Sequence, residues 1–276
     1  MALPACGGEV AGSNGRLRVN GSTTVHPIVA EAAEVLRDEQ GVSVLVDTQG
    51  GSSGGIAFLG EGRSEVGMSS KRLRPADRER YPGVDFVEHS VGADAVALVV
   101  SADVWNGGVR SLSRAEMQAI FEGRATHWSE FGGPDQRIVY FQKEPGRGTF
   151  EVFARWLYGR IEDVPPHSHA EVGGNEETRN KVSSTLGALS QLSYSWTDGS
   201  TVYALAIEQD DGEVVSPSAE SIANGTYPLS RPLFLLTDGP PTGAAAALLD
   251  LIRSPRGQAL VEKHGYLGLD RLAQNP

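Results

Sequence analysis

Length, composition and charge set the first limits on this chain. Its 276 residues suit one large domain or two lobes of about 100–150 residues each. Hydrophobic residues make up 39%, enough for a buried core, and the formal net charge is −11. Such an acidic chain lacks the cation array that nucleic-acid phosphates require, so no nucleic-acid partner is expected. Purely apolar runs reach only six residues, as at 95–100, whereas a membrane-spanning helix needs about 20.

The first fifteen residues are predicted to be a flexible leader or tether, because residues 7–15 are polar and rich in glycine. Cys6 is the single cysteine, which excludes internal disulfides and cysteine-based metal sites. The segment LPACGG around it resembles the end of a bacterial lipoprotein signal, in which Cys6 would become the lipidated first residue. An accidental cysteine in a loose terminus is the alternative.

From residue 16 onward, short β-rich runs alternate with helical stripes. The sequence SRAE at residues 113–116 is a capping box, which predicts that a helix begins there. The alternation of strands and helices predicts an α/β fold with mainly parallel sheets. The predicted strands are residues 16–19, 42–46, 66–68, 95–100 and 138–141, and the predicted helices are one from Pro27, 55–60, one from 114, 150–158, 244–252, and one from Pro255 to before Gly265.

Three glycine-rich turns each lie between a predicted strand and a predicted helix: GSTTVHP at 21–27, QGGSSGG at 49–55 and KEPGRGT at 143–149. Their glycines let the backbone approach a ligand closely, and their hydroxyl groups and free helix-start N–H groups are donors. A helix start carries about half a positive charge and binds anions. One such turn is most simply a helix cap, but three of the same kind predict a convergent site for a tetrahedral oxyanion.

Two other kinds of site fit parts of the sequence. Residues 50–54, GGSSG, match the G-x-S-x-G pattern of a hydrolase, with Ser52 as its nucleophile. A hydrolase also needs an acid and a histidine, and no sequence context singles out one of the later histidines. His167 and His169 form a possible metal pair, but the segment is more simply a surface loop. Neither a metal nor a cofactor is therefore predicted.

From about residue 16 to 269 the chain resembles the phosphate-binding proteins of bacterial ABC phosphate importers, the PstS type. The resemblance implies a two-lobed type II periplasmic-binding-protein clamshell, with helices on both faces of mainly parallel sheets and crossing strands as the hinge. Residues 16–101 plus 203–276 would form lobe I, and residues 102–202 would form lobe II. The segments that match in order and spacing are GSTTVHPIVAEAAEVL, QGGSSGGIAFL, VGMSSKRL, LSRAEMQAIFEGRATHWSEFGGPD, KEPGRGTFEVF, NGTYPLSRPLFLLT and SPRGQALVEKHGYLGL.

The resemblance also implies which residues bind the anion as the lobes close. Asn175 would either reach the cleft or cap the following helix. The implied phosphate-binding residues are Ser22, Thr23, Thr24, Ser52, Ser53, Ser70 and Lys71 from lobe I, and Lys143, Gly146, Arg147, Gly148 and Thr149 from lobe II.

The chain departs from the family pattern at the third turn and at Ser70. The family usually has arginine where this chain has Lys143 and serine where it has Arg147. The bidentate fork is therefore predicted to come from Arg147, unless that side chain points to solvent. Some relatives have, in place of Ser70, an aspartate that accepts the proton of hydrogen phosphate. The candidate replacements for this acceptor are Asp94, Glu144 and Asp47, and a structural cap is an equally open role for Asp94.

These features predict an extracytoplasmic solute-binding receptor that captures inorganic phosphate and delivers it to the membrane permease of an ABC importer. It is expected to be a monomer without enzymatic activity, either periplasmic or anchored at the cell surface through Cys6. The alternatives are a binding protein for another tetrahedral oxyanion, a sensor on the same scaffold, and, more remotely, a serine hydrolase that uses Ser52.

Overall fold

The computed structural model describes residues 15–167 and 169–272. Cys6 and all but the last residue of the predicted leader lie outside the described residues. Within those two stretches, no helix is both long enough and apolar enough to cross a lipid bilayer.

Strands and helices alternate through most of the described chain. The strands are β1 (Arg16–Gly21), β2 (Ser43–Asp47), β3 (Val66–Ser69), β4 (Phe86–Ser101), β5 (Ser111–Ser113), β6 (Val139–Lys143), β7 (Ala170–Val172), β8 (Ala188–Ser193), β9 (Val202–Ala204), β10 (Ala206–Glu208), β11 (Val214–Val215) and β12 (Ser230–Asp238). The helices are α1 (His26–Gln40), α2 (Gly51–Gly60), α3 (Pro75–Arg80), α4 (Ala102–Asn106), α5 (Arg114–Phe121), α6 (Gly148–Tyr158), α7 (Asn175–Ser184), α8 (Ala219–Ala223), α9 (Gly243–Arg253), α10 (Pro255–Lys263) and α11 (Leu269–Leu272).

The main sheet has the strand order β2-β1-β3-β12-β4-β8-β6-β7, with β9 also paired to β4. The 16-residue β4 pairs with β12 along its first part and with β8 and β9 along its last part. Pairing is parallel at both ends of the sheet, within β2-β1-β3 and within β8-β6-β7. It is antiparallel at the centre, where β12 and β8 run back beside β4. The prediction of mainly parallel sheets is therefore correct at the ends and wrong at the centre.

Two large hydrophobic cores both include residues of β4. One is built by β1, β3, α1, α9 and α10, and it includes Val91 of β4. The other is built around α5, α6 and Trp128, and it includes Leu98 and Val100 of β4. Val91 packs in the first core, and Leu98 and Val100 of the same strand pack in the second. Strand β4 therefore joins the two parts of the molecule.

The lobe boundaries stay a prediction, and one small sheet bears on them. Strand β10 pairs in parallel with β5 and antiparallel with β11. Residues 206–215, predicted in lobe I, are thereby attached to residues 111–113 of the predicted lobe II. Hydrogen bonding across the chain, rather than sequence distance, decides where such a segment belongs.

Candidate functional site

The three predicted turns lead into α1, α2 and α6. The sequence predicts the second helix at 55–60, but the helix begins at Gly51. Gly50 and Gly51 both have positive φ angles, of 73° and 58°, which turn the chain tightly at the end of the preceding loop. Ser52 and Ser53 therefore belong to the first helical turn, where free N–H groups are found.

These turns and their neighbours form two facing walls. The first wall comprises residues 22–24, 52–53 and 70–71 together with Arg231, and the second comprises residues 143–151 and 173–175. The walls touch: the Ser53 N–H donates to the Gly146 carbonyl over 3.0 Å. A Cβ on Gly148 would lie 2.4 Å from Ser70 Oγ and 2.8 Å from Ser52 Oγ, so only glycine permits this approach.

Arg231 lies at the centre of the contact between the walls, and its side chain is only 1% exposed. Its Nη2 and Nε groups donate to Asp94 Oδ2 over 2.7 and 3.1 Å. Asp94 is buried to the same extent, and its negative charge balances the positive charge of the guanidinium inside the protein. The ion pair itself and further hydrogen bonds to Arg231 offset the free-energy cost of burying these two charges.

Three hydroxyl oxygens accept the remaining donors of Arg231. Nη1 donates to Thr149 Oγ1 over 3.0 Å and to Ser70 Oγ over 3.3 Å, and Nη2 donates to Thr24 Oγ1 over 3.1 Å. Ser52 Oγ joins the group by accepting the Ser70 N–H over 3.1 Å. We call this set, with Asp94, the central cluster: Thr24, Ser52, Ser70, Asp94, Thr149 and Arg231.

Sequence reasoning did not select Arg231 as a site residue, although the matched segment NGTYPLSRPLFLLT contains it. The available signal was an arginine in an otherwise apolar strand, β12, in which Leu233, Leu235 and Leu236 are buried. A charged residue there requires a buried partner. The partner, Asp94, is 137 positions away in sequence and is supplied by the pairing of β12 with β4.

The predicted ligand Lys71 contacts the opposite wall. Its ammonium donates to Ser53 Oγ over 3.0 Å and forms an ion pair with Glu151 of α6. The Lys71 and Glu151 side chains are only 4% and 6% exposed. A cavity of about 680 Å³ lies between the walls at this place, lined also by Arg74 and Arg155. An ion pair, rather than continuous packing, thus joins the walls here.

Lys143, also a predicted ligand, is 1% exposed and turns away from the central cluster. Its ammonium donates to the carbonyls of Gly173 and Gly174 over 2.9 and 3.0 Å, and it also contacts Thr178 Oγ1 and, at 3.5 Å, Asn175 Oδ1. Burial lowers the pKa of Lys143 well below its ordinary value, and the nearby Arg147 and Arg231 charges lower it further. Asn175 both begins α7 and reaches the other wall, where its Nδ2 donates to Thr24 over 3.0 Å.

Arg147 does not point to open solvent, nor does it join the central cluster. Its Nη2 and Nε groups donate to Glu144 Oε2 over 2.7 and 3.0 Å, and its side chain is 18% exposed. A Cβ on Gly51 would lie 2.7 Å from Arg147 Cδ, so the arginine stem packs against the first wall. Glu144, a candidate proton acceptor, is thus paired with Arg147.

Other predicted residues lie at the margins of the site. Ser22 is buried, and its Oγ accepts the Thr24 N–H over 3.2 Å. Thr23 is half-buried and faces Gly174 closely, because a Cβ added to Gly174 would lie 3.3 Å from Thr23 Cγ2. Asp47 is exposed and caps the following turn by accepting the Thr48 N–H.

The histidine pair belongs to an aromatic cluster. The rings of His167 and His169 stack at 5.4 Å, and both lie edge-on or tilted against Phe121. His169 Nε2 is hydrogen-bonded to the Phe121 carbonyl. Packing thus accounts for this pair.

A match to a known family decides the identification: residues 8–256 of this chain match the PBP superfamily domain. The chain belongs to the PBP superfamily. The phosphate-binding protein PstS of Bacillus subtilis is 29% identical over 97% of this chain and 89% of its own length. The Staphylococcus epidermidis protein of the same name is 25% identical over 85% of this chain and 74% of its own length.

Solved structures give the same result for this PBP-superfamily chain. A protein described as a phosphate ABC transporter substrate-binding protein, from Clostridium perfringens with bound phosphate, has a TM-score of 0.80 and 27% identity over 92% of this chain and 99% of its own. An ABC-type phosphate transport receptor from Vibrio cholerae has a TM-score of 0.69 and 25% identity over 91% of this chain and 99% of its own. The sequence-based resemblance and the type II binding-protein fold are both confirmed.

Proposed function

We propose that this protein is an extracytoplasmic receptor that binds inorganic phosphate between its two walls and delivers it to the permease of an ABC importer. The observation that carries the proposal is the central cluster, in which hydroxyls from both walls surround a buried, charge-paired arginine. The relatives named for phosphate binding support the choice of ligand.

The donor chemistry of the central cluster suits an oxyanion. A hydroxyl that accepts from Arg231 keeps its own hydrogen to donate, which applies to Thr24 and Thr149. Three helix starts add backbone N–H groups without adding a formal charge. Since Asp94 offsets Arg231, an oxyanion is held by aimed dipoles rather than by excess positive charge, which fits a chain of net charge −11.

We assign Asp94 the task of holding Arg231. Its Oδ2 meets the Nε–Nη2 side of the guanidinium, whereas Ser70 and Thr149 meet Nη1. The guanidinium therefore separates the carboxylate from those two hydroxyls. Proton acceptance from hydrogen phosphate remains a prediction for Asp94, and a pH series of phosphate and sulfate titrations tests it.

Calorimetric titration of unfolded, ligand-stripped and refolded protein tests the function directly. We expect one-to-one binding of phosphate, and Thr149→Val should weaken it about 10- to 100-fold because one hydrogen bond to a charged ligand is lost. The matched control is Thr242→Val, which alters an exposed threonine at the start of α9. Folded protein that gives no heat with phosphate would refute the proposal.

The same titration decides among the alternatives. Preference for sulfate, arsenate or phosphite would indicate a binding protein for another oxyanion. This is the second candidate function, and the changed residues of the third turn favour it. A folded protein that binds no anion would favour a sensor. A serine hydrolase has less support, because Ser52 has no histidine partner in the described part of the chain. Ester turnover that is lost in Ser52→Ala would restore that reading.

We further propose that the protein works as a monomer without enzymatic activity, outside the cytoplasm. Lipidation of Cys6, which lies outside the described residues, would anchor it at the cell surface. Mass spectrometry of the protein isolated from membranes, with Cys6→Ala as the control, tests the anchor. An unmodified Cys6 would leave a freely diffusing receptor.

A further inference from the structure

Lys143, Asn175 and Thr24 form a chain of hydrogen bonds that ends at the central cluster but begins outside it. Lys143 Nζ faces Asn175 Oδ1 at 3.5 Å, and Asn175 Nδ2 donates to Thr24 Oγ1 over 3.0 Å. All three residues are at most 2% exposed. The last link crosses from the second wall to the first.

The lysine favours one orientation of the Asn175 amide. A protonated amine has donors and no acceptor, so only the amide oxygen can face it favourably. The carbonyls of Gly173 and Gly174 and the Thr178 hydroxyl also accept from this ammonium, so its three donors are shared among four acceptors. The NH₂ group of Asn175 is consequently directed across to Thr24.

This arrangement uses both lone pairs of the Thr24 hydroxyl. Its Oγ1 accepts one hydrogen bond from Asn175 Nδ2 and one from Arg231 Nη2. A hydroxyl has two acceptor positions and one donor, so only its hydrogen is left. Among the residues that the structure describes, no protein group accepts that hydrogen.

We propose that Lys143 and Asn175 are positioning residues, which hold the hydroxyl hydrogen of Thr24 as a donor to the bound oxyanion without touching the anion themselves. The inference rests on the proposed phosphate-binding function. It reassigns Lys143, which the family resemblance had placed among the ligands, to the support of a ligand on the opposite wall. Because the final link joins the walls, the Thr24 donor is fixed only when they meet.

A double-mutant cycle tests this assignment by phosphate calorimetry on the full chain. Asn175→Ala should weaken binding about 5- to 10-fold, because Thr24 loses one of the bonds that orient it. In a Thr24→Val background the same change should have less than a two-fold effect, because no hydroxyl remains to be oriented. In Thr24→Ser, which keeps the hydroxyl, the full effect should return. A merely structural role for Asn175 would give the same loss in all three backgrounds.

Lys143→Met tests the first link. It should weaken phosphate binding, and this loss should largely disappear in the Asn175→Ala background. Asn180→Ala, an exposed asparagine on the same helix, is the matched control. If Lys143→Met does not fold, as thermal unfolding would show, the Asn175 and Thr24 cycle still decides whether Asn175 positions the Thr24 hydroxyl.

The outcomes separate this inference from the function on which it rests. Wild-type protein that binds phosphate, with Asn175→Ala and Thr24→Val losses that add, overturns the positioning role alone. A Lys143→Met loss that persists in full without Asn175 makes the lysine a direct ligand and likewise overturns it. Folded wild-type protein that does not respond to phosphate overturns both proposals.

Discussion

The two walls of the candidate site use their charged residues in opposite ways. The first wall, with Arg231, directs a guanidinium into the central cluster and pairs it with Asp94 behind. The second wall has two cations in its glycine-rich turn, Lys143 and Arg147, and both are engaged by nearby acceptors of their own wall. Position beside an anion-binding motif therefore does not by itself direct a cation toward the central cluster. The distribution of acceptors around it decides where it points.

Replacing Arg231 should have the largest effect on binding. Arg231→Met removes the donors shared by Thr24, Ser70 and Thr149, and we expect phosphate affinity to fall at least 100-fold in calorimetry. The change also leaves the Asp94 carboxylate buried without its partner, which costs about 3–5 kcal/mol in stability. The double variant Arg231→Met with Asp94→Asn removes that stability cost. Near-normal binding by the folded double variant would mean that the second wall supplies the essential cation after all.

The ion pair between Lys71 and Glu151 should affect wall closure. Glu151→Gln removes the charge that holds Lys71, and we expect phosphate affinity to fall about 10-fold, because a buried pair that crosses the cleft is lost. The control is Glu65→Gln, since the half-exposed pair of Glu65 with Arg18 of β1 lies outside both walls. A rise in affinity would instead show that Glu151 restrains Lys71, and that Lys71 binds the anion as the sequence predicts.

Burial of Lys143 predicts a change in stability at alkaline pH. Its pKa is lowered in the folded state, so protonated lysine is disfavoured there relative to the unfolded chain. This penalty is full below the folded pKa and disappears as the pH rises to the unfolded value of about 10.4. The free energy of unfolding should therefore increase with pH between the folded-state pKa of Lys143 and the unfolded value. Lys143→Met should abolish the contribution, whereas Lys181→Met, at an exposed site on α7, should keep it.

Much of the fold was predictable because it depends on local patterns. The strand of residues 16–19 and the capping box at Ser113 both appear as predicted, with the Ser113 hydroxyl accepting the Glu116 N–H. The positions of the three turns follow from glycine and hydroxyl residues placed between such elements. Each feature is determined within a few residues, so a single sequence contains the necessary information.

The partners of the charged side chains were not predictable in the same way. Asp94 meets Arg231 only because β4 and β12 pair, and Glu151 meets Lys71 only when the walls touch. Sequence alone gives no register between such distant segments. The contacts of Lys143 were unpredictable for a related reason, since the carbonyls of Gly173 and Gly174 that accept from it lie 30 and 31 residues further along the chain.

Replacing Arg147 should have the smallest effect on phosphate affinity. It tests directly whether this arginine only pairs with Glu144 or also binds the anion. Arg147→Met keeps an apolar stem to pack near Gly51 but removes the guanidinium that bonds Glu144. A partly exposed pair of this kind contributes about 0–1 kcal/mol, so phosphate affinity should change less than about five-fold. Calorimetry beside Thr149→Val, at the adjacent helix start, gives the scale for a true ligand. A loss in Arg147→Met as large as in Thr149→Val would mean that Arg147 leaves Glu144 and provides the bidentate fork to the anion.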